Sequence, residues 1–346
     1  MKNGYRLIAK SALIATLFTL SSVASGAEKY GIYELIHRSD AGFEETLAAV
    51  ATALDESELV VHASHAVRVP EGKQSAHVFI LTSPTYQSLA ADESPRTISA
   101  QVLRVAVYTW GDEQQTLVNM ANPLAHAMVY YAKSDNYSDM LQGAKAAAAE
   151  IRSALNGLSG EAVSVQQAPL RTEKHYRKFK GDGPARMMAK FRTYRKSQLL
   201  IHETEDQSVA VVADAVQTIF KASRTFSVSK PVGWENLVRI PFGDDAVYFG
   251  ISNPYLEDKM IRINSRFRSD GKSDAYPYPG TDHVAALPTE VLVIKEEGET
   301  KVLHYGQMWR MQLYFWDSGY RAFTANVGVP SSVSNSIESL LEDGLE

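Results

Sequence analysis

One sequence pattern occurs twice in this chain, and that repetition limits the fold more than any single motif does. The stretches "HVFILTSPTYQS" at 77–88 and "VYFGISNPYLED" at 247–258 each end an apolar strand pattern in Ser-Pro or Asn-Pro. Proline cannot donate to a strand ladder, and the Ser or Asn before it can bond the local backbone. Both stretches therefore predict a strand that ends in a proline turn.

The segments around these stretches follow one order in both halves. "YGIYELIHRSD" from Tyr30 and "SQLLIHETE" from Ser197 alternate like half-buried strands, and a helical pattern follows each. Four further strands and a closing helix complete each half, with the closing helices predicted over Asp139–Leu155 and from Pro330. The chain therefore predicts an α+β fold of two tandem β-α-β4-α units, with antiparallel sheets and helices packed on one face.

Two details of this pattern are less regular. "TFSVSKPV" at 225–232 alternates and predicts a strand of the second unit. "AMVYYAK" at 127–133 and "MQLYFWDS" at 311–318 are apolar runs before the closing helices, and they indicate a possible further strand in each unit. The offset between matched residues changes along the chain, as insertions in loops produce.

These residues resemble a known family. "ILTSPTYQSLAADESPRTISAQVLRVAVYTW" is similar to the central segment of the DUF302 domain, and the second half adds the Asn-Pro of Asn253-Pro254 and the Leu-Pro of Leu287-Pro288. The first half departs from the family pattern with Ser83 before Pro84. The resemblance implies a fold like the TATA-binding-protein repeat, and it implies no particular activity.

The N-terminus resembles an export signal. Residues 1–27 combine three basic residues, an apolar block from Ala12 to Leu20 that is too short to span a membrane, and small residues before a cleavage site after Ala27. Their removal changes the formal net charge from −5 to −8, because they hold no acidic residue. We therefore expect a mature protein in the periplasm, and its acidity argues against nucleic-acid binding.

The complete lack of cysteine excludes disulfides, thiolate nucleophiles, cysteine-ligated zinc and iron–sulfur centres. The chain also has no HExxH pair, phosphate-binding glycine loop or Gly-x-Ser-x-Gly elbow. We therefore expect no metal and no cofactor, and we favour a non-enzymatic binding protein. The predicted domains are a signal peptide at 1–27, DUF302-like domains at 28–158 and 197–346, and a basic linker with a short helix at 159–196.

The basic linker is the first candidate site. Residues 171–196 contain ten Lys or Arg against two acids, Glu173 and Asp182, with aromatic residues between them. This composition suits anionic lipid headgroups or an acidic partner, which would make the chain a peripheral membrane or assembly protein. A solvated helix against the acidic remainder of the protein is the alternative.

The second candidate site is an insertion in the second half, "RINSRFRSDGKSDAYPYPGTDH" at 262–283. Arginines near tyrosines can hold a carboxylate or a phosphate, so we expect a small anionic or aromatic ligand, or a partner protein, at this loop. A loop that only covers the edge of the sheet is the alternative. The predicted ligand-binding residues are Arg262, Arg266, Arg268, Tyr276, Tyr278, His283, His304 and Tyr305.

Histidines offer two further hypotheses. His304 with Met308 and Met311 could bind copper, and Asp282 with His283 could serve in acid–base catalysis. Met and aromatic residues in a strand pattern more often belong to a core. His62 and His65 lie three apart in a strand pattern, where an odd separation places them on opposite faces rather than on one metal.

Overall fold

The computed structural model describes residues 27–69, 74–111, 114–183, 194–223, 225–267 and 280–346. Among them are two antiparallel sheets, one of six strands and one of five, accompanied by helices. This architecture confirms the predicted α+β class.

The first copy contains the elements of one β-α-β4-α unit. In chain order these are β1 (Lys29–Ser39), α1 (Phe43–Asp55), β2 (Val60–Ala66), β3 (Ala76–Thr82), α2 (Pro84–Leu89), a 3₁₀ segment (Pro95–Ala100), β4 (Leu103–Trp110), β5 (Gln115–Ala121), α3 (Pro123–Tyr130) and α4 (Tyr137–Ala154).

Three elements join the copies, and the second copy then repeats the unit. The joining elements are β6 (Gly160–Thr172), α5 (Glu173–Arg177) and α6 (Tyr194–Ser197). The second copy comprises β7 (Gln198–Thr204), α7 (Val209–Ala222), β8 (Glu235–Phe242), β9 (Ala246–Ser252), α8 (Pro254–Phe267), a 3₁₀ segment (Thr281–Ala286), β10 (Thr289–Glu296), β11 (Glu299–Tyr305), α9 (Gln307–Phe315), α10 (Gly319–Ala325) and α11 (Val329–Leu345).

The two sheets share one strand order. The first sheet runs β2-β3-β4-β5-β1-β6 and the second runs β8-β9-β10-β11-β7, so the copies differ by β6 alone. β6 lies in the segment that the sequence assigns to a linker, and it pairs antiparallel with β1 from Lys29–Thr172 to Ser39–Gly160. The part of the predicted linker at 160–172 is therefore a sheet strand.

The two faces of the second sheet contact different partners. Val247, Phe249, Val291 and Val293 pack against α7 and α11 in one core. The alternate side chains of the same strands belong to a second core that also contains most of the buried apolar residues of the first copy. Because side chains alternate across a strand, one face of this sheet carries its helices and the other faces the first copy.

The 3₁₀ segment of each copy packs against the sheet of the other copy. Nδ2 of Asn119 in β5 donates to the carbonyl of Asp282 at 2.7 Å, so the second segment lies on the first sheet. In the reverse direction, Arg96 forms two hydrogen bonds of 2.7 and 2.6 Å with the carboxylate of Glu296 in β10. This reciprocal packing joins the two sheets into one interface.

Three local predictions were wrong. In the apolar runs before the closing helices, residues 127–130 lie in α3 and 311–315 lie in α9 rather than in strands. Short apolar runs of this kind do not show by periodicity alone whether they form a helix or a strand. "TFSVSKPV" leaves Phe226, Val228 and Val232 more than 40% exposed, and the strand is instead β8 at 235–242.

The proline motifs also differ from the prediction, because each begins a helix rather than a turn. Oγ of Ser83 accepts from the backbone N–H of Tyr86 at 3.1 Å, and Oδ1 of Asn253 accepts from that of Leu256 at 2.8 Å. Ser and Asn are good N-caps, and proline is favoured at the first helical position. The same residues that end a strand thus start α2 and α8.

Candidate functional site

Residues of the two copies can be matched by their positions within equivalent elements. Arg104 and Glu290 are the second residues of β4 and β10. Helix α3 has Asn122 as its N-cap and helix α9 has Gly306. His126 and Arg310 lie four positions after these N-caps. Tyr130 and Tyr314 each follow the same N-caps by eight.

These matched residues meet in a buried polar cluster between the copies. Nη1 of Arg104 lies 3.5 Å from Oε1 of Glu290, and Nε of Arg310 lies 2.7 Å from Oε2 of the same carboxylate. Nη2 of Arg104 donates to the hydroxyl of Tyr314 at 3.1 Å, and that hydroxyl lies 3.0 Å from Nε2 of His126. Each of these side chains is at most 4% exposed.

Burial, followed by the charges of Arg104 and Arg310, lowers the pKa of His126 well below its usual value. A neutral imidazole can accept a hydrogen bond from the Tyr314 hydroxyl, and the oxygen of that hydroxyl in turn accepts one from Arg104. The cluster is thus closed to solvent and joined mainly by ion pairs. Nε of Arg104 has no hydrogen-bond partner among the described residues, and the contact between Arg310 and Glu290 is an ion pair without hydrogen-bond geometry. Such an enclosed cluster is typical of a structural centre rather than of an open ligand pocket.

The predicted ligand residues in the described part of the chain have separate partners. Nε of Arg262 in α8 lies 3.0 Å from Oδ2 of Asp258. Nε2 of His304 in β11 donates to Oε1 of Glu338 at 2.8 Å, and Tyr305 stacks on Trp309 at 5.6 Å. The pocket expected from the insertion stays a prediction. Its other residues lie outside the described part, namely the side chain of Arg266 and the whole of Arg268, Tyr276 and Tyr278.

His283 is held in the interface between the copies. Its Nδ1 lies 3.1 Å from Oδ1 of Asp282, and its Nε2 lies 3.0 Å from Oδ1 of Asp317. The ring of Tyr33 from β1 packs on it edge-to-face at 5.0 Å. Because the imidazole is fully buried and both nitrogens face carboxylates, a substrate could reach it only after a rearrangement.

The basic segment is anchored by a buried salt bridge. Nη2 and Nε of Arg171 bond the carboxylate of Asp182 at 2.7 and 3.1 Å. The same guanidinium donates to the carbonyls of Leu313 and Gln312 in α9, at 2.9 and 2.8 Å, and lies over the ring of Phe179 at 4.8 Å. Residues 171–182 are thus fixed against the second copy.

The sequence singled out this segment for its charge but missed the anchor. Arg171 was one cation among ten, and Asp182 was one of only two acids in the segment. An isolated acid in such a run was the available signal, because a buried cation requires a paired anion.

A cationic cleft of about 1160 Å³ lies beside this anchor. Its walls come from α5, the residues that follow it, and the turn after α3. Among the described lining residues, five cations accompany one carboxylate, and all five are exposed: Lys133, Lys174, Arg177, Lys178 and Lys180. We call this surface the cationic cleft.

The one carboxylate in the cleft is already engaged. The hydroxyl of Tyr137 donates to Oε1 of Glu173 at 3.1 Å, and Nη1 of Arg177 lies 4.0 Å from the same oxygen. The guanidinium of Arg177 also stacks over the ring of Tyr137 at 4.2 Å. The four lysines form no ion pair within the described ranges, so their charges are available to a ligand.

Within the described ranges, no three His, Asp or Glu side chains are grouped so that they could hold a metal ion. No helix in the same ranges is long and apolar enough to cross a bilayer.

Comparison with known proteins gave no relative. No protein-family model, no curated protein and no solved structure matches the chain.

Proposed function

We propose that this protein is a non-enzymatic binding protein that holds an extended polyanion, of the size of a short acidic peptide, in the cationic cleft. The observation that carries the proposal is the excess of exposed cations over carboxylate in one large concavity. Lysines are mobile point charges, so they suit a ligand that is recognised by charge density more than by fixed geometry.

The base of the cleft supports a preorganised site. The Arg171–Asp182 salt bridge fixes one end of the segment, and the hydroxyl of Tyr176 donates to the carbonyl of Tyr30 at 3.1 Å. Holding the backbone in place before binding reduces the conformational entropy lost on association. The lysines then need to order only their own side chains.

The size of the cleft favours an extended ligand. Pockets for small molecules usually measure about 300–1,000 Å³, and this cleft exceeds that range. An acidic peptide would place several carboxylates along the lysines, each at a partly exposed and salt-sensitive contact.

The test is fluorescence anisotropy of a labelled hexaglutamate peptide with the full-length mature protein. Replacing Lys174 and Lys178 by alanine should weaken binding roughly tenfold, about 1.4 kcal/mol. Replacing the exposed Lys221 and Lys230 outside the cleft alters the net charge equally and should leave the affinity nearly unchanged. Equal effects of the two double variants would show that only net charge matters, and would refute a site in the cleft.

Anionic vesicles provide the competing outcome. Binding to phosphatidylserine vesicles but not to the peptide, lost in the Lys174/Lys178 variant, would reassign the cleft to a membrane surface. Binding to either probe should weaken steeply as salt is raised, because these contacts are exposed.

The proposed location is the periplasm. The support is the N-terminal sequence pattern and the lack of cysteine in the chain. Mass spectrometry of protein from the periplasmic fraction should show a mature chain that begins at Glu28. Full-length protein in the cytoplasmic fraction alone would refute this location.

A further inference from the structure

A smaller pocket of about 420 Å³ lies in the second copy, between the start of β7, the N-terminus of α9 and the helix α11. Its apolar wall is made by Leu199, Met308, Trp309 and Pro330. We call it the β7–α11 pocket. Its volume falls in the lower part of the range for small-ligand sites.

Opposite charges line this pocket. Lys196 is exposed at its mouth and forms no ion pair within the described residues. Glu338 of α11 accepts a hydrogen bond from His304, and this bond lowers the pKa of Glu338 while partial burial acts in the opposite sense. The pocket therefore offers one cation and one carboxylate that stays ionised at neutral pH.

Trp309 supplies the aromatic part of the apolar wall. Its ring is 1% exposed and is held by stacking on Tyr305 at 5.6 Å and by edge contacts with Tyr130 and Phe179, both at 6.1 Å. These contacts hold the aromatic part of the wall in place before a ligand binds.

The equivalent pocket of the first copy lacks the aromatic wall and has a different buried carboxylate. It measures about 340 Å³, and its buried carboxylate, Glu34, is already bonded by Nη2 of Arg152 at 2.7 Å and by Oγ of Ser164 at 2.7 Å. Ala125 stands at the position that Trp309 occupies in α9, three residues after the N-cap. The aromatic wall is thus particular to the second copy, whereas the first-copy pocket also carries charges of both signs, from Glu28, Lys29 and Lys145.

We propose that the β7–α11 pocket binds a small zwitterion with an apolar body, which is the chemistry of a free apolar α-amino acid. The ligand carboxylate pairs with Lys196, and its ammonium group pairs with Glu338. The apolar side chain packs on the wall around Trp309. This proposal is independent of the cationic cleft, because the two pockets have no lining residue in common within the part of the chain that the structure describes.

The test is isothermal titration calorimetry of the full mature chain with three matched probes. L-phenylalanine carries both charges, L-phenylalaninamide lacks the carboxylate, and N-acetyl-L-phenylalanine lacks the ammonium group. L-phenylalanine should bind roughly tenfold or more tightly than either analogue, since each loses one ion pair. No saturable binding, or equal affinity for the three probes, would overturn the proposal.

Two variants assign the charges. Lys196→Ala should weaken binding of L-phenylalanine and leave that of L-phenylalaninamide unchanged, whereas Glu338→Gln should spare N-acetyl-L-phenylalanine. Trp309→Phe leaves a smaller aromatic wall, so it should weaken the binding of all three probes to a similar extent.

The matched control is Lys29→Ala, which removes a lysine from the first-copy pocket. It should leave all three affinities unchanged, and an effect as large as that of Lys196→Ala would refute the site. Hexaglutamate anisotropy on the same variants separates the two proposals, because the cationic cleft is intact in each of them.

Discussion

The two copies share a strand order but carry opposite charges at matched positions. Arg104 of the first copy meets Glu290 of the second, and Arg310 stands where the first copy has His126. On the far side of each sheet, the residue that follows the buried Ile151 is Arg152, and the residue that follows the buried Ile337 is Glu338. At two of these three matched positions, one copy therefore holds a basic residue and the other an acidic residue.

Arg104 and Glu290 show why this difference matters. Where two equivalent positions face each other, identical residues would bring like charges together in a buried site, which is strongly unfavourable. Two copies in one chain can carry different residues there. The interface between the copies therefore depends on the residues in which they differ, whereas their shared fold does not depend on these differences.

The largest expected effect follows from removing the carboxylate at this meeting point. Glu290→Gln leaves two buried guanidinium groups without their anion, so we expect a loss of about 3–5 kcal/mol in the free energy of unfolding. Urea unfolding measures it. The control Glu299→Gln changes a partly exposed carboxylate that pairs with Lys301 at 2.9 Å, and it should cost less than about 1 kcal/mol. Similar losses in both variants would contradict a structural role for the cluster.

The extra strand of the first copy provides the second test. Gly31 lies where a Cβ would overlap the carbonyl oxygen of Gln167 in β6. Gly31→Ala should therefore destabilise the protein by about 2 kcal/mol and speed amide exchange along β6. Gly157→Ala, at a position with open space around it, should stay within about 0.5 kcal/mol of the parent protein. Unchanged exchange in β6 would show that the strand is not held by this close approach.

The smallest effect concerns the pH dependence of the second copy. The hydrogen bond from His304 lowers the pKa of Glu338 in the folded protein. The stabilisation from this bond is therefore fully present above the unfolded pKa of about 4.3, and it is lost as the pH falls through the lower folded pKa. Glu338→Gln should cost less than about 1 kcal/mol at pH 7, since the carboxylate is 30% exposed, and nothing in strong acid.

Thermal unfolding at a series of pH values measures the difference in stability between the parent protein and Glu338→Gln. Glu342→Gln, on the exposed face of the same helix, provides the control and should run parallel to the parent protein. A difference between parent and Glu338→Gln that grows as the pH falls would have the wrong sign for this contact.

Local patterns allowed much of the fold to be predicted. The alternation in β1 and β7, the helical spacing in α4 and the repeated proline motifs each depend on neighbours in sequence. Predictions were wrong where the deciding factor lay elsewhere. Residues 127–130 belong to α3, whose apolar residues are nearly all buried and therefore show no alternation that would separate helix from strand. The 225–232 segment is not a strand, and its apolar side chains are left exposed.

The candidate sites show the same division. The positive charge of residues 171–196 was visible in the sequence, and this segment contributes all but one of the described cations that line the cleft. Lys133 could not be added, because it comes from the turn after α3, about forty residues earlier. The partners of His283 and His304 were equally hidden, since Asp317 and Glu338 lie 34 residues beyond each of them.

By itself the sequence determined the α+β class, the doubled unit and the position of the basic segment, because periodicity and charge are properties of neighbouring residues. Only the tertiary structure decided that β6 extends the first sheet and that Arg104 meets Glu290. It also decided that Lys196, Glu338 and Trp309 line one pocket. Contacts between distant residues depend on how the two sheets pack, and no local pattern encodes that packing.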